Sequence, residues 1–218
     1  MRIMCMVLAA LLLALPARSE QEAQVRVDFS NPGLYPAQWS LVLHPDGTGH
    51  FHAEGGNRPD GYSDTILPAK VDKDVRLSSE FTNRIFQTVH DKRILHNKCE
   101  SHLKVAFQGL KKISYTGPDA EGGCEFNYST NKDIQDLGES LLGVGSTVIE
   151  GARLELLYQH DRLGLDKAIQ YVVEATGDGR LQQICAIRGI LERLEDDPRV
   201  LDRVRKQARM LLVRAAGS

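Results

Sequence analysis

Between Trp39 and Ala53 the chain alternates apolar and polar residues twice, on either side of Pro45-Asp46-Gly47. Alternation at period two marks a strand with one buried face. The two runs predict a β-hairpin: proline presets φ in the turn, and glycine accepts the left-handed φ that follows. Turn length then decides the register. A two-residue loop sets Leu43 opposite His50 and Leu41 opposite His52, which mixes apolar and imidazole groups on each face. A three-residue loop, a type I turn with Gly47 in a G1 bulge, pairs His44 with Thr48 instead. Trp39, Leu41, Leu43, Phe51 and Ala53 then share one face, and Ser40, Val42, His44, Thr48, His50 and His52 share the other. A slip of one residue exchanges the faces, so burial selects the second register.

The same reading extends along the chain. Val25 to Phe29 alternates and predicts a strand closed by Asn31-Pro32-Gly33. Thr65 to Leu77 predicts one or two short extended pieces. Ser78 is placed to cap a helix over Ser79 to Asp91, with Phe81, Ile85, Phe86 and Val89 at helical spacing. Leu103, Val105 and Phe107 alternate, as do Ile113 and Tyr115, and then Cys124, Phe126 and Tyr128, so three further strands are expected. Thr116 to Gly123 is expected as their loop.

At about Asn131 the period changes to 3.6 and stays there. Ile134, Leu137, Leu141, Val144 and Val148 mark one helix face, interrupted by Gly138, Gly143 and Gly145, which predict close packing or a break. Further helices are predicted over Asp166 to Ala175, around Leu181 to Leu194, and after Asp197, with Asp197 as the cap and Pro198 at the first helical position.

Strands with one helix, then helices alone, is an α+β pattern. The expected architecture is a small antiparallel β-sheet with one packed helix over residues 20–130. An all-helical region of about four to five short antiparallel helices follows over 131–218, packed with the first as one domain or standing as a second.

Composition adds a compartment. Arg2, the apolar run Met4 to Leu15 and the small residues Ala17 and Ser19 predict a cleaved signal peptide over residues 1–19 and a secreted or periplasmic product. Removing Arg2 and Arg18 leaves 25 basic against 29 acidic residues, a net charge that argues against nucleic-acid binding. No later apolar stretch is long enough for stable membrane insertion. Three cysteines remain beyond the signal, so at least one has no partner within the chain.

Candidate chemistry is sparse. His50 and His52, two apart on a strand, leave one face together with His44, a spacing that can chelate zinc or copper; a polar outer face that happens to carry histidine has the same pattern. His90, His96, Cys99 and His102 form a second group of nitrogen and sulfur ligands. In an oxidising compartment Cys99 has a simpler use, a disulfide to Cys124. Cys185, between apolar helix positions, is expected as a small buried side chain. Residues Asn57 to Asp64 lack the ligand alternation of an EF-hand loop. Asn127-Tyr128-Ser129 is a glycosylation sequon. Six basic residues from Arg199 to Arg214 suit either an anionic membrane or the acids that precede them, and pairing with the acids is preferred. No nucleophile elbow, zinc-protease motif, phosphate loop or dinucleotide fingerprint is present.

The function expected is an exported noncatalytic binding or interaction module with a protein or small-molecule partner. A zinc- or copper-binding protein using His44, His50 and His52 is one alternative, and a hydrolase whose constellation is invisible in chain order is another.

Overall fold

The computed structural model describes residues 22–58, 66–91 and 98–216. The elements are β1 (Gln24–Ser30), β2 (Gln38–Leu43), β3 (Thr48–Glu54), β4 (Val71–Arg76), α1 (Ser79–Asp91), β5 (Leu110–Thr116), β6 (Glu121–Phe126), α2 (Lys132–His160), α3 (Leu165–Gly177), α4 (Arg188–Asp196) and α5 (Asp202–Ala216). A single 3₁₀ turn, Ile184–Ile187, leads into α4. The six strands form one antiparallel sheet in the order β4-β3-β2-β1-β5-β6. The α+β class is therefore as expected.

The central hairpin adopts the three-residue loop. Trp39 pairs with Ala53, Leu41 with Phe51 and Leu43 with Gly49, and the His44 N–H donates to the Thr48 carbonyl at 2.8 Å. Gly47 has φ of 82°, the conformation that the bulge requires. All five apolar side chains of the predicted inner face are buried. Phe29, Trp39 and Phe51 stack in succession, with ring centroids 5.3 and 5.6 Å apart.

Two hydrophobic cores follow from the sequence periods. The first joins the inner sheet face to Phe81, Ile85 and Val89 of α1 and to α2 from Ile134 to Ala152. The second joins Leu154 and Leu157 of α2 to the inner faces of α3, α4 and α5. One helix thus serves both. Asn131 caps it, its side chain accepting the Asp133 and Ile134 N–H groups. At 29 residues α2 is far longer than the short helices expected. Its glycines do not break it. A Cβ on Gly138 would meet Phe126 at 2.9 Å, one on Gly143 would meet Gln182 at 2.9 Å, and one on Gly145 would meet Trp39 at 2.8 Å.

Three local expectations are corrected. Leu103, Val105 and Phe107 do not form a strand; they lie on an exposed segment, 56, 40 and 57 % accessible, and β5 begins only at Leu110. Side-chain hydrogen bonds hold that segment instead. Asn127 Oδ1 accepts the Gln108 N–H at 2.7 Å, and its Nδ2 donates to the Ala106 carbonyl at 3.2 Å. The loop between β5 and β6 is shorter than expected, closed by the Gly117 N–H on the Ala120 carbonyl, with β6 starting at Glu121. Asp197 does not cap the last helix, which starts at Asp202. Its carboxylate is taken by the Tyr158 hydroxyl at 2.8 Å and by the Arg199 guanidinium, which leaves Pro198 in a turn. Those contacts hold its pKa well below the usual carboxylate range.

Cys99 and Cys124 form the expected disulfide, with Cα atoms 5.9 Å apart. Among the described residues no helix is long and apolar enough to cross a membrane. The expected signal peptide, His96 and most of the Asn57 to Asp64 loop lie outside the described residues.

Candidate functional site on the open sheet face

Every second residue of each strand faces away from both helical layers, and none of these outward side chains is buried. The strand order brings them into transverse rows. One row crosses all six strands as Asp72, His52, Ser40, Asp28, Lys112 and Glu125, each residue directly opposite the next. The adjoining row reads Asp74, His50, Val42, Arg26, Ser114 and Gly123. The first row is polar from edge to edge, and the second is polar except at Val42 and Gly123. Towards its Gln38 end it sinks into a hollow of about 330 Å³ lined by Arg26, Asp28, Ser40, His52, Glu54 and Lys112, among others.

The β3–β4 side carries a linked cluster. His52 Nδ1 lies 2.9 Å from Asp72 Oδ2, and His52 Nε2 lies 3.3 Å from Glu54. His50 Nδ1 lies 2.9 Å from Asp74, and its Nε2 lies 3.3 Å from the other Asp72 oxygen. The Asp72 carboxylate, with Glu54 adding to it, raises the His52 pKa, and His52 in return lowers that of Asp72. On β1, Arg26 grips Asp28 with Nε at 3.0 Å and Nη2 at 2.5 Å. Lys112 and Glu125 make no ion pair with any described residue.

This places each predicted residue. His50 and His52 do leave one face together. Both nitrogens of each ring face carboxylates, and His44 sits at the hairpin end with its Nδ1 buried and without a hydrogen bond. Among the described residues no group of three or more histidine, cysteine and acidic side chains is arranged to hold a metal. Of the second ligand group, His90 pairs with Asp119, Cys99 is bonded to Cys124, and His102 is exposed on the segment that precedes β5. Tyr115, buried beside Asp119 and hydrogen-bonded to it, has its phenol pushed up to about 12.

The succession Ser40, His52, Asp72 has the residue types of a hydrolytic triad. Its bonding differs, because His52 Nε2 faces Glu54 and Ser40 makes no hydrogen bond to it. Cys185 is half-buried, with Sγ 3.5 Å from Gln183 Oε1, and burial raises its thiol pKa, the reverse of nucleophile activation. The basic stretch at the end of the chain is paired within the helical layer: Arg203 with Asp166, Arg209 with Glu195 at 2.6 Å, Lys206 with Asp202 at 2.7 Å and Arg199 with Asp197 at 2.9 Å.

Sequence reasoning missed Asp72, Asp74, Arg26, Asp28 and Lys112 as neighbours of the histidines. Their strand parity is visible in VDKDV and VRVDF. What parity lacks is strand order, and only the insertion of β1 between β2 and β5 assembles the rows. The chain matches no protein-family model and no curated protein.

Proposed function

We propose that the protein is an exported, noncatalytic binding module that presents its open sheet face to a partner carrying positive charge. The observation that supports this reading is the face itself. A six-strand sheet buries one side under helices and leaves the other as mostly polar rows, broken by Val42, Leu110 and Gly123. That side holds the carboxylates of Asp28, Glu54, Asp72, Asp74, Glu121 and Glu125 against the permanent cations Arg26, Arg76 and Lys112. The excess of carboxylates favours a cationic partner and repels an anionic one. The histidines face carboxylates and add charge only when protonated, so they tune the face more than they define it.

The test is a titration of the ¹⁵N-labelled protein with a short lysine-rich peptide, read by amide shifts. The reading expects saturable shifts at outward residues of β1, β3 and β4, weakened by salt, and none with a glutamate-rich peptide of the same length. Shifts on α3 and α5 with the sheet unmoved would refute it.

A further inference from the structure

A second concavity lies where the two cores meet. It opens between β4, the middle of α2 and the start of α4, and encloses about 320 Å³. Its floor is apolar: Val148 and Ala152 from α2, Ile187 from the 3₁₀ turn and Ile190 from α4. Val148 and Ala152 belong to the first core, and Ile187 and Ile190 to the second. Its mouth is charged. Lys73 Nζ lies 2.6 Å from one Glu155 oxygen, and Arg193 Nη2 lies 2.9 Å from the other. Two cations share one carboxylate, which leaves one positive charge in excess at the rim. Asp74 also borders the cleft, but its carboxylate is turned to His50 on the opposite sheet face.

We infer that this cleft binds a small amphiphilic monoanion, an apolar chain or ring bearing one carboxylate or similar head group. The apolar body lies on Val148, Ala152, Ile187 and Ile190. The head group accepts hydrogen bonds from Lys73 and Arg193 beside Glu155. An ammonium has three donors and a guanidinium five, so neither is saturated by one carboxylate. The junction of two packed units is where ligand clefts concentrate, and the volume is at the small end of the usual range. Gly189 lines the cleft, and a Cβ there would meet nothing within 4 Å, so a side chain at this position is sterically admitted.

This site is distinct from the open sheet face, and its test reads a different part of the molecule. The probe is decanoate below its micelle concentration, followed by amide shifts of the labelled protein, with decyltrimethylammonium as the cation of matched tail. Saturable decanoate shifts are expected at Gly151, Ala186 and Gly189, with outward β1 and β3 amides unmoved. Lys73→Gln and Arg193→Gln, at exposed positions, each weaken binding about tenfold, the worth of one charge-assisted hydrogen bond. Gly189→Phe fills the cleft and abolishes binding, with circular dichroism confirming the fold. Absence of saturable decanoate binding would overturn the inference. So would equal binding of the cationic probe, or affinity unchanged in both charge variants and in Gly189→Phe.

Discussion

Gly145 of α2 lies against the indole of Trp39, so close that a Cβ on the glycine would come within 2.8 Å of the ring. The contact seats the long helix on the central hairpin. In an isolated helix, replacing glycine by alanine gains about 1 kcal/mol. Here the methyl has no room, and overpacking costs about 1–3 kcal/mol. Gly145→Ala should therefore lower stability in urea unfolding despite its better helix propensity. Gly189→Ala, whose methyl meets nothing, should not. A Gly145→Ala variant more stable than its parent would show that the helix stands off the ring.

The His52–Asp72 contact makes stability depend on pH. His52 has a raised pKa in the fold, so its contribution is fully present below the ordinary histidine value of about 6.5 and fades as pH rises through the raised value. Asp72 has a lowered pKa, so its contribution is present above about 3.9 and lost as pH falls through the lower value. The pair stabilises most in the mildly acid interval between them. His52→Gln should shift the urea midpoint more at about pH 5.5 than at about pH 9. An equal shift at both pH values would remove the pair from the stability profile.

The Cys99–Cys124 bridge spans a sequence separation of 25 residues. Closing a loop of that length stabilises by about 3.5 kcal/mol in the chain-entropy account. Reductant should cost that order of stability. A chain lacking residues 1–19, unfolded without reductant, should take up one alkyl group, at Cys185, and three after reduction. Three groups before reduction would exclude the bridge.

Lys111 is a cation on the buried face of β5, 1 % exposed, above the Phe126 ring. Its Nζ donates to the Asn127 carbonyl at 2.7 Å and to the Gly109 carbonyl at 3.3 Å. Burial pushes its pKa down, and the more distant Glu139 and Glu100 oppose that shift. Lys111→Met keeps the volume but strips the donors from those carbonyls. A loss of about 1–3 kcal/mol is expected, read by thermal or urea unfolding. An unchanged or higher stability would mean that desolvation of the ammonium outweighs its bonds.

What the sequence made legible was local. The hairpin register followed from one turn and five apolar residues, because a one-residue slip would have buried imidazoles. Ser78 announced its helix because a cap is a short-range contact, and its hydroxyl accepts the Phe81 N–H. At Asn131 only the change of period was legible, and its role as a cap came from the structure. The failures share a cause. Leu103, Val105 and Phe107 alternate like a buried strand, yet Asn127, nineteen to twenty-one residues away, ties that segment back on itself. Asp197 precedes a proline like a cap, yet Tyr158 on another helix claims it. The candidate face was missed in the same way, because its rows depend on which strands are neighbours.

The sharing of α2 between two cores also fixes what the chain tolerates in length. Ile134 to Ala152 face the first core, and Leu154 and Leu157 the second. Each helical residue turns the helix by about 100°, since 3.6 residues complete a turn. One residue inserted or deleted between Ala152 and Leu154 would rotate one core's apolar stripe by that angle against the other's, turning it out of its own pocket. The helix therefore acts as a phase reference for the molecule, and its middle admits substitutions but no change of count. The exposed run from His102 to Gln108 has no such phase to keep, and is where length variation belongs.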